Sequence, residues 1–335
     1  MIRLLFKRLM LTLVVIWGVT TVSFITMHVL PRDVASAMVG PNATPEQLEK
    51  FRHDWGLDRP ISEQYFNFYS RILKGDLGTS IRTHRSVVTE LVDHFPATFE
   101  LALAALLFGL IMGIPLGVFS ALHRNKWFDH FNRVYSLLGV SIPNFWLGLL
   151  LLFFFYFKLN VFLPGHLSMH ISLKRITGLV VLDSILRGNF RAFVDAVRHL
   201  VMPSFAVGLA VTGYISRQIR TSMIEILESD YIRAAKSRGI PFSVVLFKHA
   251  LKNSLIPTVS ILGVLVGRLL SGAIVAEVIF AWPGIGYVAY LSILKADQPM
   301  ILGFTFFVAI VYSIVTFFVD ITYGLLNPKI RHAMR

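Results

Sequence analysis

Charged residues lie inside apolar runs, three of them in the last two runs. Arg268, Glu277 and Asp320 each sit in a stretch otherwise almost free of Lys, Arg, Asp and Glu. An ionisable group in lipid is costly, so each is either part of a functional site or one half of a buried ion pair. Arg268 and Glu277 are nine residues apart, ~13 Å along one helix face, too far to pair within their own helix. Asp320, on another segment, is an alternative partner for Arg268. A structural pair between helices is the expectation, and a substrate contact the alternative. The three charges make a poor catalytic set. The chain has no G-x-x-x-x-G-K-[ST], and the dipeptide Gly-Lys is absent, so it has no P-loop; H-E-x-x-H and G-x-S-x-G are absent too. Zero Cys removes thiolate metal sites, disulfides and cysteine nucleophiles. The 11 His are scattered, and His28, His199 and His249 at span ends read as structural. The expectation is a chain that is not an enzyme and binds neither metal nor cofactor.

The segment Ser216–Pro257 acts through contact rather than bond-making. Ser229 reads as the cap of a short helix whose first residue, Asp230, favours the helix dipole. Tyr231, Arg233, Ala234, Ala235, Lys236 and Arg238 continue it. Gly239 suits the position just past its end, and Pro241 prevents continuation. A second helix, Phe242–Asn253, leads back to Pro257. One reading is a solvated basic connector facing anionic lipid. The other is a docking knob, in which small residues allow close approach and charges rim the contact.

These residues need elements to carry them. Hydrophobic residues make up 55% and charged residues 15%, against about 45–50% and about 25% in soluble domains. Apolar stretches near the ~20 residues of a membrane span occur at Leu9–Leu30, Ala97–Leu122 with Glu100 near its start, Val134–Phe157, Leu200–Ser216, Leu255–Phe280 and Ile301–Leu326. The first could be a signal peptide, but 22 residues exceed the ~7–15 of such a core. The expected fold is all-α and polytopic, with six transmembrane helices. Lys and Arg gather in the N-terminal flank, after the second span, in the loop 217–254 with seven basic residues, and in the tail. The positive-inside rule therefore puts both termini in the cytoplasm. The net charge of +13 is then mostly a topology signal and needs no nucleic acid. The segment 158–199, with six basic and two acidic residues, falls on the outer side and fits the rule poorly. The domain reading is a flank and first helix over 1–30, a periplasmic segment over 31–96, a five-helix core over 97–326 and a cytoplasmic tail over 327–335. Thr44-Pro45-Glu46 starts a helix in the outer segment, and Tyr65, Phe66, Phe68, Tyr69, Ile72 and Leu73 have helical spacing within Pro60–Leu73. After Glu277 the chain breaks: Trp282 suits a membrane interface, and Pro283, Gly284 and Gly286 stop the helix.

Tyr231-Ile232-Arg233-Ala234-Ala235-Lys236-Ser237-Arg238-Gly239, followed by His249-Ala250-Leu251-Lys252-Asn253 and Pro257, resembles the E-A-A-x3-G-x9-I-x-L-P loop of ABC importer permeases. It is most similar to the form in dipeptide, oligopeptide and nickel permease subunits. The resemblance covers nearly the whole chain. It includes Gly56-Leu57-Asp58-Arg59-Pro60, Gly75-Asp76-Leu77-Gly78-Thr79-Ser80, Phe95-Pro96-Ala97-Thr98 and Ser141-Ile142-Pro143-Asn144-Phe145-Trp146. It continues through Leu163-Pro164, His199-Leu200-Val201-Met202-Pro203, the run Glu277–Gly286 and Asn327-Pro328-Lys329-Ile330-Arg331. Arg233 replaces the family's Glu, His249 its Ile and Lys252 its Pro, as in the peptide branch. Arg268 is outside the pattern.

The resemblance implies a type I ABC importer permease fold in the bacterial inner membrane, with Asp230–Gly239 as the helix that couples to an ATPase. It implies a translocation-pathway subunit for dipeptides or oligopeptides, or for haem, nickel or antimicrobial peptides. Its partners would be a second paralogous permease, two ATPase subunits that hold ATP and Mg, a periplasmic solute-binding protein, and membrane lipid. Pro143, Asn144, Arg268, Glu277, Trp282, Pro283, Gly284, Gly286 and Asp320 are the pathway or gate candidates. An ion-coupled secondary transporter is the alternative, but no ion site or internal repeat is evident.

Overall fold

The computed structural model describes residues 2–29, 35, 39, 43–54 and 56–326, without the side chains of residues 2–9, 28, 29, 260, 268, 270–272, 320 and 322–326. The side chains of His28, Arg268 and Asp320, the expected pairing of Arg268, and the tail 327–335 thus lie outside the described residues.

The helices in chain order are α1 (Ile2–Val29), α2 (Pro45–Asp54), α3 (Ile61–Leu73), α4 (Val87–Leu122), α5 (Trp127–Ser141) and α6 (Asn144–Leu151), which runs on as a π-helical stretch, Leu152–Lys158. Then come α7 (Val180–Leu186), α8 (Phe190–Leu227), α9 (Asp230–Ser237) and α10 (Phe242–Val244), the last leading through a second π-helical stretch, Val245–Leu251, into α11 (Lys252–Ile279). The short α12 (Ile285–Leu294) and the long α13 (Gln298–Leu326) complete the order. An isolated bridge between Thr79 and Ser86 is the β pairing among the described residues. Among the described residues, four helices are long and apolar enough to cross a membrane: α4, α8, Met10–Met27 within α1 and Gln298–Val319 within α13. Two bent pairs raise the number to six if each counts as one span.

Three of the expected spans take a different form. The run Val134–Phe157 is two helices meeting at 99°. Pro143 has no N–H to donate and forces the residue before it out of the helical region; Ile142 is accordingly extended at ψ 124°. The short run Leu200–Ser216 is the middle of the 38-residue α8, which passes through Pro203 unbroken. Packing overrides the local breaker signals there. Helix also continues through Pro257, with a 43° bend between Phe242–Val259 and Ile261–Gly267. A proline beside a π-helical stretch is a usual cause of such a bend.

The chain divides into two compact units, one of residues 97–282 with 314 onward and one of 2–96 with 283–313; the division falls inside α4 and α13. In the first unit α8 is central. Gly109, Gly113 and Gly117 of α4 face Val211, Ile215 and Ile219 of α8, so closely that an added Cβ would lie 2.4–2.9 Å from those side chains. On another side, Gly213 of α8 packs on the Ser136 carbonyl and Gly139 of α5 on the Leu209 carbonyl. Lipid supplies no hydrophobic drive between helices, so close small-residue packing of this kind holds a membrane bundle together. Around it lie Leu101, Met202, Ile219, Met223, Leu265 and Trp282 as part of one buried cluster.

In the second unit, α2 opens as expected, with a reciprocal capping box. Gln47 N–H donates to Thr44 Oγ1 at 3.3 Å, and Thr44 N–H to Gln47 Oε1 at 3.0 Å. The aromatic stripe of α3 packs on α1. Thr21 Oγ1 lies 2.9 Å from both tyrosine hydroxyls, of Tyr65 and Tyr69, and Phe24 packs edge-on to Tyr65. Asp297, fully buried, precedes α13 and accepts from Ser80 Oγ at 2.5 Å and from the N–H groups of Ile81, Arg82 and Met300. It thereby ties the loop after Gly78 to the start of that helix.

Candidate functional site

The short helix α9 is the best-defined contact element. Ile232 is its buried residue, anchoring it where it meets the end of α8 and the second π-helical stretch. Asp230, Tyr231, Arg233, Ala234, Lys236 and Arg238 are exposed, and Ala235 is half-buried. The end is a Schellman motif: Gly239 N–H donates to Lys236 O at 3.0 Å and Ile240 N–H to Ala235 O at 3.3 Å. Gly239 sits at φ +73°, the left-handed conformation. Ser229 occupies the capping position but does not cap. Its hydroxyl instead donates to Ile226 O at 2.5 Å, closing the end of α8. Arg233 pairs with Asp230 at 3.3 Å and donates to Glu228 O; Lys236 lies over the Phe242 ring. Asn253 Nδ2 donates to the Tyr231 hydroxyl at 3.2 Å, joining α9 to the start of α11. The result is a fixed, mostly exposed knob between two long helices.

The break between α5 and α6 opens a cavity of about 280 Å³. Pro143 and Asn144 line it, with Val207 and Tyr214 of α8 and Leu265 and Leu269 of α11. Two of the pathway residues expected from the sequence therefore meet α8 and α11 at one place.

Glu277 and Trp282 lie together at the end of α11, both fully buried. Thr98 Oγ1 donates to Glu277 at 2.6 Å. Trp282 is packed inside the bundle and does not face lipid: its Nε1 donates to Ala97 O at 2.8 Å, and the His166 ring packs on it at 4.3 Å. Its size and buried partner make it core. The helix ends at Ile279, within one residue of the expected span end, with Ala281 at φ +50°. Gly286 belongs to the next helix, α12, where it is buried, and Gly284 precedes that helix.

Several polar residues that sequence reasoning does not single out organise the rest. Glu100 accepts from His166 Nε2 at 2.8 Å and from Val181 N–H at 2.7 Å. Asp195 accepts from both N–H and Oγ of Ser168. Asp183, buried, accepts from the N–H groups of Ile176, Thr177 and Gly178 and from Thr177 Oγ1. Burial alone would raise the Asp183 carboxyl, but these donors outweigh it and hold it below the ordinary carboxylate value. Its share of stability is therefore present above about pH 4 and is lost as the pH falls through the lowered value. Asp183→Ala should free the segment around Lys174 and Arg175. Since hydrogen bonds to a charged group stabilise by about 1.5–3 kcal/mol each, tryptic cleavage there in purified protein should accelerate about tenfold or more. An unchanged cleavage rate would show that the carboxylate does not pin the segment.

A second unforeseen group is buried near the end of α8. Asp129 is wholly inaccessible and takes a two-pronged contact from Arg220, through Nε at 2.5 Å and Nη2 at 2.8 Å. The two are 91 residues apart, and nothing local in either segment announces the pair. The one available signal is that Gly213, Ser216 and Arg220 share a small, polar helical face.

Comparison with known proteins gives two family matches. Residues 1–102 match the family described as binding-protein-dependent transport system membrane component, N-terminal. Residues 113–332 match the family described as binding-protein-dependent transport system inner membrane component. The chain is 41% identical over 319 residues to a probable D,D-dipeptide transport system permease protein of Escherichia coli K12, with 94% of each chain covered. It is 38% identical to a di/tripeptide transport system permease protein of Pseudomonas aeruginosa, with 99% of each covered. It is 37% identical to a dipeptide transport system permease protein of Alkalihalophilus pseudofirmus, with 97% of this chain and 98% of the other covered.

Proposed function

Because the chain belongs to the binding-protein-dependent transport system inner membrane component family, a multi-pass inner-membrane permease subunit of an ATP-driven importer, we propose that it carries dipeptides together with a second, paralogous permease. Both termini and α9 are cytoplasmic in this reading, and six spans cross the membrane. Separate ATPase subunits bind ATP and Mg and hydrolyse the nucleotide. A periplasmic solute-binding protein delivers the peptide. This chain itself binds no cofactor. The relatives' names support the dipeptide assignment, and they give no support to ion-coupled secondary transport.

The observation that carries the coupling role is α9 itself. One buried side chain anchors it, a glycine-dependent motif ends it, and its remaining surface is exposed between the helices α8 and α11. Asp230, Tyr231, Arg233, Ala234, Ala235, Lys236, Arg238 and Gly239 form the contact with the ATPase. ATP-driven closure of the ATPases pushes α9, and α8 and α11 carry the movement to the cavity at Pro143 and Asn144, which lies on the solute pathway. The turn Glu277–Gly286, with Trp282, Pro283 and Gly284, lies near its outer mouth, and Arg268 and Asp320 are further pathway residues.

The chain has no cysteine, so single introduced cysteines report sidedness without background. A cysteine at Asn67 should react with an impermeant thiol reagent added outside intact cells, and one at Ser237 only after permeabilisation. The reverse pattern would overturn the orientation and the coupling role together. Uptake of labelled dipeptide by the reconstituted complex, but not by this chain without ATPase subunits, tests the transport assignment.

A further inference from the structure

Asp129 and Arg220 sit between the knob and the cavity. Each Asp129 oxygen is doubly engaged. Oδ1 accepts from Ser120 Oγ at 2.6 Å and from Arg220 Nε; Oδ2 accepts from the Asn125 N–H at 2.9 Å and from Arg220 Nη2, with Arg133 at 3.7 Å. These donors come from the end of α4, the α4–α5 turn, α5 itself and α8. Asn125 presents its N–H from a left-handed conformation, φ +62°. In the same turn Arg124 pairs with Glu228, the residue that ends α8. The last two turns of α8, immediately before α9, are thus gripped twice by one corner of the bundle.

The grip continues along α5. Ser216 Oγ donates to Asn132 Oδ1 at 2.8 Å, and the Gly213–Ser136 and Gly139–Leu209 backbone contacts follow at successive turns. At Ser141 this seam ends, and the chain turns through 99° at Pro143, beside the cavity. A displacement of α9 therefore moves α8 and α5 as one body, and the first place free to yield is the Ile142–Pro143 break.

We propose that Arg220 is a positioning residue for coupled transport: its fork on Asp129 makes α5 follow the helix that bears the ATPase contact, so that ATP-driven movement reaches the pathway break. The proposal rests on the coupling reading of α9. The fork matters more than the charge, because a guanidinium fixes a carboxylate at two points and an ammonium at one.

The test uses the complete importer with its ATPase and solute-binding subunits, reconstituted in proteoliposomes. ATP hydrolysis and dipeptide uptake are measured on the same vesicles. Arg220→Lys should assemble at wild-type yield, bind the ATPase and hydrolyse ATP, while the ATP consumed per peptide imported rises about tenfold, within the range of ordinary allosteric couplings. A merely structural role would lower yield or melting temperature and leave that ratio unchanged. Asp129→Asn combined with Arg220→Gln removes both charges and leaves none buried alone, the usual cause of collapse after single substitution. It should show the same raised ratio. An unchanged ratio in either assembled variant overturns the proposal, and so does failure of both to assemble, which would make the pair structural. Gly239→Val separates this from the underlying reading. If Gly239→Val is also normally coupled, the coupling role of α9 has failed; if only the Arg220 variants are normal, the clamp alone has failed.

Discussion

Gly239→Val is expected to accumulate in the membrane at wild-type level and to lose both transport and copurification with the ATPase. A Cβ at this position would meet no atom within 4 Å, so sterics with neighbours are not the obstacle. The obstacle is φ +73°. A residue other than glycine held in that region costs about 1–3 kcal/mol, and a β-branched one is especially disfavoured. The penalty falls on an eight-residue helix held by one buried side chain, Ile232, not on a membrane span. The Schellman bonds from Gly239 and Ile240 would break first, and the tip around Ala234 and Ala235 would lose its shape. Gly239→Asn is the matched control, since asparagine tolerates the left-handed region, and it should retain most activity. Equal loss in both variants would mean that the glycine surface, rather than the backbone turn, is what the partner requires.

Gly117→Leu is expected to act on the fold instead. A Cβ there would lie 2.7 Å from both the Ile219 Cβ and the Ser216 carbonyl oxygen. Neither contact is relieved by a rotamer change, because the Cβ position follows the backbone and the carbonyl is backbone. α4 and α8 would have to separate, opening the rows at Gly109 and Gly113 as well. Overpacking costs about 1–3 kcal/mol even where relaxation is possible; here it should remove most folded protein from the membrane and lower the melting temperature of the remainder by several degrees. Phe119→Leu, on the exposed face of the same helix, should have little effect. Wild-type yield for Gly117→Leu would show that the two helices are not held at contact distance.

These cases mark what can be read from the residues alone. Gly239 is legible because its turn is local: a glycine after a short helix, with Pro241 beyond it, has few other uses. The capping box at Thr44 is legible for the same reason. The apolar runs locate the hydrophobic elements but not their ends, because the extra turns of α8 pack on α7 at one end and are held through Asp129 and Arg124 at the other, partners that no window of its own sequence contains. The 99° turn within Val134–Phe157 has a visible cause in Pro143, yet a proline in an apolar run can also be absorbed, as Pro203 and Pro257 are. The burial of Trp282 is not legible, because its partners, the Ala97 carbonyl and the His166 ring, are supplied from far along the chain. Asp129 and Arg220 count only as charges in the sequence for the same reason.

The two carboxylates of the segment 158–199 have a consequence for what lies outside it. Its two acids, Asp183 and Asp195, spend their charge on internal donors, while Lys158, Lys174, Arg175, Arg187, Arg191 and Arg198 are exposed. The segment keeps its net charge of four positive, since a hydrogen-bonded carboxylate stays charged, but the ionic groups it presents to solvent are its cations. Their field reaches about 8 Å at physiological ionic strength and about 30 Å at 0.01 M. An acidic macromolecule would be drawn towards these side chains at a rate that falls steeply with added salt.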